Sequence, residues 1–495
     1  MAESCDPHRP IGGQVAVKNL VKNLNVWEAI GISVALMAPS MAANINPQGT
    51  AGAVGRAVPV AFALATVGVL LIAYGFVRLC QNFNHAGSVY GFVGATMGPR
   101  SGVVAGWGLL GTYIFYGCVT SMAAGIFGST FLDELGVWHH QPAWSGFLVG
   151  AIALVLAYFL AVAPARNGTR VLLTVEGITV LLILITTVII FAKLAGGHAP
   201  DNHHVDWSVF SIPKGTGTSG VFLGVVFGFL SFAGFEAAST LGEETKNPRR
   251  DIPRAMLGTA IFGGVYFVVV TAVEVMGFGT NAAGIKAYIA SGSLLGDLGT
   301  KYVGSWIGTT ITLGAAVSAF GCCLACVVGG SRLIFSLARD GGNQHLATVS
   351  EKNGVPVNAT RLIVGAAALI MIIWKLVWHV KPFDIFLGSG VIGTLIILVA
   401  YLLATVGAIK FLFFSGKKRT RQWEIVIPLA GIALLIYTLY KNVLPWPTTG
   451  AGRAYPIAAI IWLVIGIVGI VSRPALASRV GAHLTADENL SEARS

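Results

Sequence analysis

The sequence predicts an all-α polytopic membrane protein with twelve transmembrane helices. Of its 495 residues, 55% are hydrophobic and 11% are charged, whereas soluble proteins carry about 25% charged residues. A soluble fold of this length would divide into several domains, each needing a polar coat. The charges here are too few to supply one. The polar residues gather in short islands between apolar runs of roughly twenty residues, the length that crosses a hydrocarbon core of about 30 Å. Backbone amides in lipid must be satisfied within the segment, so such runs are helices.

The runs fall at 27–48, 57–79, 100–131, 145–164, 169–195, 218–241, 254–279, 302–336, 360–380, 384–410, 424–441 and 455–472. Of the 32 Lys and Arg residues, 23 lie in islands that share a side with the N-terminus and 9 on the other side. That asymmetry places both termini in the cytoplasm. The net charge of +11 is thereby explained by topology, and no nucleic acid is expected. Residues 1–25 hold no apolar signal core, so no removable signal peptide is expected. The setting is the plasma membrane, with lipid as the main partner. Whether the chain is a monomer or a homodimer is open.

Two spans are interrupted. Span one contains Ala38-Pro39-Ser40 and then Asn44-Ile45-Asn46-Pro47. Pro39 lacks a donor and clashes with the preceding turn. Span six contains Ser231-Phe232-Ala233-Gly234-Phe235-Glu236. A mid-span glutamate costs a few kcal/mol in lipid and should face protein or water. The two spans are five apart, the pattern of carriers built as inverted five-helix repeats. The divisions expected are a tail at 1–26, a first repeat at 27–217, a second at 218–410, two further spans at 411–475 and a tail at 476–495.

The stretch Ser231–Met256, SFAGFEAASTLGEETKNPRRDIPRAM, closely resembles the sixth span and following loop of the amino acid–polyamine–organocation permeases. Ala86-Gly87-Ser88-Val89-Tyr90 with Gly98-Pro99 and Gly106-Trp107 resembles the start of that family's span three. Ser331-Arg332 with Ala338-Arg339-Asp340-Gly341 resembles the end of span eight, and Gly393-Thr394 with Ala400-Tyr401 resembles span ten. The resemblance covers roughly residues 25–475. It implies a secondary active transporter of a small amino acid, working by alternating access. A polyamine or other organic amine is the alternative cargo. A channel or membrane enzyme is the third class, but no nucleophile–base or metal constellation is visible. No nucleotide-binding motif appears either, which argues against direct ATP drive.

The resemblance also implies a central site between the two breaks. The family's Gly-Ser-Gly-like segment, whose amides hold a substrate carboxylate, falls on Ser40, Met41 and Ala42, so both glycines are absent. Pro39 can break the helix instead, and amides through Ala43 remain candidates. Met41 narrows the space and favours a bulky ligand or one without an α-carboxylate. In span six, carbonyls near Phe232 and Ala233 would take the amine, with Gly234 and Glu236 beside them. Phe229, Phe232 and Phe235 are candidates for an aromatic lid. The tryptophan gate of some exchangers in the family is here Leu230. Tyr113, Tyr116, Ser318 and Ser389 complete the candidates.

For coupling, the family uses protons, sodium or exchange. Glu176 stands where proton-coupled relatives carry a span-five lysine. It either loads a proton or holds the span-one break by a hydrogen bond. Glu243, Glu244 and Lys246 are carried over as cytoplasmic gate candidates. Glu274 sits near the outer end of span seven, where it could reach headgroups. Cys322, Cys323 and Cys326 lack a nearby histidine and read as helix packing, with no metal or cofactor expected. Gly102/Gly106 and Gly224/Gly228 read as close-packing pairs. His139, His140, His203 and His204 read as solvated loop residues, and the sequons at Asn167 and Asn358 lie on the cytoplasmic side.

Overall fold

Span one breaks where its proline requires. The residue before a proline is disfavoured in the right-handed helical region, and Ala38 adopts φ 47°, ψ 56°. This left-handed geometry, uncommon for a residue with a Cβ, ends helix α1 (Val26–Met37). Pro39 then opens α2 (Pro39–Val54) at its first position, where a missing N–H costs nothing. The computed structural model describes residues 26–83, 89–138, 141–163, 168–241, 245–350, 354–416, 419–444, 446 and 450–489. Among these the chain is helical, with no β-strand.

The remaining helices are α3 (Val58–Asn82), α4 (Val89–Met97), α5 (Pro99–Glu134), α6 (Ser145–Val162), α7 (Gly168–Ala195) and α8 (Gly217–Phe232). They continue as α9 (Pro248–Phe278), α10 (Ala282–Ala290), α11 (Leu294–Tyr302), α12 (Ser305–Gly341) and α13 (Val357–Trp378). The chain ends with α14 (Pro382–Phe413), α15 (Val426–Val443), α16 (Gly450–Ser472) and α17 (Pro474–Asn489). Among the described residues, eleven segments are long and apolar enough to cross a membrane. The sequence reading counts twelve. The difference lies in Val26–Asn82, one helical run of 57 residues. At 1.5 Å per residue it would measure roughly 85 Å, far more than a bilayer core. The chain turns inside it through a 3₁₀ stretch at Gly55–Ala57, where Gly55 has φ 59°.

Helix α5 is the centre of the bundle, packed on α12, α14, α6 and α4. Close approach there depends on missing side chains. A Cβ on Gly125 would lie 2.1 Å from the Gly146 carbonyl oxygen of α6. The small-residue pairs serve internal contacts of the same kind. Gly102 meets the Gly94 backbone, Gly224 meets Thr50, and Gly228 meets Ala65. Outward faces remain apolar, as lipid requires: Ile461, Ile465 and Val468 on α16 are exposed, as are Leu181 and Val188 on α7.

Helix α16 is pinned to α5 by a stacked tryptophan pair, Trp107 and Trp462, with ring centroids 4.6 Å apart. Each indole N–H donates to the other residue's carbonyl, at 2.8 and 3.0 Å. The segment read as a C-terminal tail contains α17, which packs on α4, α5 and α12. Arg100 Nε donates to Ser478 Oγ at 2.9 Å.

At the opposite end, α10 and α11 fold over α2 as a lid. Asn44 Oδ1 accepts from Ser293 Oγ and from Leu295 N–H, both at 2.9 Å. Gln48 Nε2 donates to the Ser291 carbonyl at 2.6 Å and the Tyr288 carbonyl at 3.2 Å. Glu274 is fully buried beneath this lid, where its Oε2 accepts from Tyr288 Oη at 2.9 Å. It therefore does not reach the headgroups, as the sequence allowed. His203 is not simply solvated either, since its Nδ1 lies 2.9 Å from the Gly277 carbonyl oxygen. His139, His140, Asn167 and residues 1–25 lie outside the described residues. Asp206 ties the loop before α8 to the α9–α10 turn. It accepts from Thr280 Oγ1 at 2.6 Å and from Ser208 N–H at 2.9 Å. These hydrogen bonds hold its carboxyl below the usual aspartate range.

Three outcomes test this packing. Gly125→Ala overpacks the α5–α6 contact and should destabilise the fold by about 1–3 kcal/mol, read as a lower melting temperature in detergent. Asn44→Ala leaves two buried donors without an acceptor, at about 1–3 kcal/mol each. Hydrogen exchange at 291–298 should then quicken tenfold or more without global unfolding. The Asp206 contribution is present above the unfolded aspartate pKa of about 3.9 and fades as pH falls through its lowered folded value. Asp206→Asn should therefore flatten the loss of thermal stability between roughly pH 5 and pH 3.

Candidate functional site

The two breaks meet. Gly234 follows the end of α8 with φ 102°, and a Cβ there would lie 3.1 Å from the Leu36 carbonyl carbon. Only glycine combines that φ with that approach. After it, Phe235–Leu241 continues as a 3₁₀ helix against α1. Asn46 Nδ2 donates to Ser231 Oγ at 2.7 Å, and Thr50 Oγ1 donates to the Gly224 carbonyl at 3.1 Å. The half-helices α2 and α8 are thus held side by side.

Beside the breaks lies a cavity of about 470 Å³. Its walls are α1, the start of α2, the end of α8 and its 3₁₀ extension, one stripe of α5 and one stripe of α12. The α5 stripe is Leu109, Thr112, Tyr113, Tyr116, Val119 and Thr120, and the α12 stripe runs from Cys322 through Cys326 and Gly329 to Arg332. Both follow helical spacing. The cavity reaches Val89, Tyr90 and Ser336, at the end of the bundle that carries α17 and the 245–248 connection. The α10–α11 lid covers α2 at the other end of the bundle.

The first turn of α2 has each of its backbone donors accounted for, although the Ser40 hydroxyl is buried without a partner. Pro39 has no N–H. Ser40 N–H donates to Glu176 Oε1 of α7 at 2.9 Å, Met41 N–H to Ser318 Oγ of α12 at 3.2 Å, and Ala42 N–H to the Ala38 carbonyl at 2.8 Å. Glu176 is 6% exposed. A carboxylate on a helix N-terminus is favoured by the macrodipole, and a hydrogen bond to a charged group contributes about 1.5–3 kcal/mol. Tyr266 Oη of α9 donates to the Pro39 carbonyl at 3.3 Å, on the side of Glu274.

The opposite pole faces the cavity. Ala233, Gly234 and Glu236 line it at the C-terminus of α8, the negative end of that helix's dipole. Glu236 Oε2 is buried and has no hydrogen-bond partner. Arg332 stands exposed on the same wall.

Of the candidates read from the sequence, Met41, Tyr113, Tyr116, Ala233, Gly234 and Glu236 line the cavity. Tyr116 Oη is 3.0 Å from Thr394 Oγ1. Pro39, Ser40, Ala42 and Ala43 are buried behind it. The three phenylalanines form no lid. Phe229 packs on Gly68, Phe232 on Phe267 and Gly263, and Phe235 sits edge-on to Phe76 and Tyr401. Ser318 supports the break, and Ser389 is fully buried away from the cavity. Lys246 is exposed in the loop before α9, while Glu243 and Glu244 lie outside the described residues. Sequence reading missed Leu36, Met37, Tyr90, Thr112, Cys322, Cys326 and Arg332. Their helical periodicity was visible, but nothing in one sequence says which stripe faces inward.

Several known proteins are similar to this chain in sequence. The branched-chain amino acid permease BcaP of Bacillus subtilis is 26% identical over 445 residues, covering 84% of this chain and 85% of its own. The low-affinity putrescine importer PlaP of Escherichia coli K12 is 26% identical over 430 residues, covering 83% and 84%. Cationic amino acid transporter 4 of Homo sapiens is 27% identical over 326 residues, covering 62% of this chain and 48% of its own. The sequence model of the amino acid permease family matches residues 29–480. The chain belongs to the amino acid permease family, within the amino acid–polyamine–organocation superfamily that the Gly234-Phe235-Glu236 motif and its following loop resemble.

Proposed function

We propose that this protein is a secondary active transporter that carries a small amino acid or amine through the plasma membrane by alternating access, coupled to protons through Glu176. One observation carries the reading. A single cavity touches both helix breaks and runs past Val89, Tyr90 and Ser336 at one end, while α10–α11 cover α2 at the opposite end of the bundle. That is the geometry of a carrier caught facing one side. The lysine and arginine asymmetry supports that side being cytoplasmic, with both termini there. In this reading Val26–Asn82 crosses twice, and the chain makes twelve crossings as two inverted repeats at 27–217 and 218–410 followed by two spans. Lys246, with Glu243 and Glu244, belongs to the inner gate.

The coupling step follows from the joint at Ser40. Ionised, Glu176 bridges α7 to the N-terminus of α2 and fixes the angle of the broken span. Protonated, it loses the charge that the helix terminus favours, so the joint weakens and α2 can tilt away from the lid. Proton loading from outside and release inside then alternates the two states. Among relatives, a branched-chain amino acid permease and a putrescine importer match equally well, which supports a cargo with an amine group.

The test is uptake by the purified protein in liposomes, with labelled amino acids and amines, with and without an inward proton gradient. Saturable uptake that rises with the gradient is expected. Glu176→Gln should leave uptake roughly independent of external pH while counterflow exchange persists. An unchanged pH profile in that variant would remove Glu176 from coupling.

A further inference from the structure

We infer that the cargo is a hydrophobic monoamine with no carboxylate, because the N–H groups that open α2 are already taken, that of Ser40 by the protein's own Glu176, and because Glu236 lines the cavity with one carboxyl oxygen unpartnered. The inference rests on the carrier reading above and narrows its substrate.

A broken span offers a carboxylate one good receptor, the free N–H groups opening the second half-helix. Here none is free. Pro39 has no N–H, and the N–H groups of Ser40, Met41 and Ala42 are taken by Glu176, Ser318 and Ala38. A substrate carboxylate would have to displace Glu176 from the Ser40 N–H, which lies behind the cavity wall.

The second observation is independent and lies on the other half-helix. Glu236 lines the cavity with Oε2 buried and unpartnered, beside the negative pole of the sixteen-residue helix α8. An ammonium placed there would satisfy both. Among the described residues Glu236 is the single acidic side chain on the cavity wall, so one positive charge is matched there. The facing basic group, Arg332, is exposed at the mouth, where water screens it. Most of the rest of the wall is apolar, including Leu36, Met41, Val119, Leu230 and Ile397, with the hydroxyls of Thr112, Tyr113, Tyr116 and Thr120 among them. Such a wall suits a hydrocarbon or aromatic body. A diamine would leave one charge against it.

Matched pairs that differ only in the carboxylate decide the matter: phenethylamine against phenylalanine, and isoamylamine against leucine. Putrescine is the diamine control. Saturable uptake into proteoliposomes is measured above the leak of protein-free liposomes. At least tenfold faster uptake of each monoamine than of its amino acid, and of either monoamine than of putrescine, is expected. Glu236→Gln should cut monoamine uptake at least tenfold. Glu176→Ala, which frees the Ser40 N–H, should shift the ratio toward the amino acids. If the unaltered protein carries the amino acids as well as or better than the amines, the inference is overturned and the carrier reading stands. Loss of that amino acid uptake in Arg332→Gln would then place the carboxylate at the mouth. Preference for putrescine overturns the single-charge argument. If no compound is carried under any gradient, the carrier reading falls and the inference with it.

Discussion

A helix that stops inside a bilayer leaves backbone donors and acceptors where no water can take them. That constraint governs the centre of this protein. At Ala38 the chain takes a left-handed turn, and the donors it exposes must find partners from other helices. Glu176 from α7 and Ser318 from α12 supply them. Three helices far apart in sequence are therefore registered by one turn of backbone. The carboxyl of Glu176 caps the N-terminus of α2 through the Ser40 N–H.

The second break is solved differently. Gly234 removes the side chain that would strike Leu36, and the chain continues as a 3₁₀ helix without a capping acid from elsewhere. The carbonyl end of α8 and Glu236 are left facing the cavity. The N-terminal pole of α2 is therefore capped from within the protein, while the C-terminal end of α8 borders the cavity.

Between the breaks and the lid, the contacts form a chain of polar side chains at membrane depth. Asn46 joins α2 to α8, Asn44 and Gln48 join α2 to α10 and α11, and Glu274 joins α9 to Tyr288 on the lid. Such groups are costly in lipid and stay because each finds a partner. They make α2 the element on which any opening of the lid must act.

Composition, run length and the positions of proline and glycine by themselves determined that the chain is a helical membrane protein, where its spans lie and which two are broken. Those features are local: twenty apolar residues need no partner to be a span, and Pro39 needs none to end a helix. The Gly234-Phe235-Glu236 motif and the loop after it were enough to point to the family. The facing of side chains was decided only by tertiary packing. Phe229, Phe232 and Phe235 look like a lid in sequence, yet each is turned into a helix contact, because an apolar ring serves equally well in either place. The cavity stripes of α5 and α12 were hidden for the same reason, since a uniformly apolar helix does not show which face is inward. Glu176 was legible as a membrane acid near the first break with two possible roles. That it occupies the Ser40 N–H depends on how α7 packs against α2, a contact between residues 136 apart.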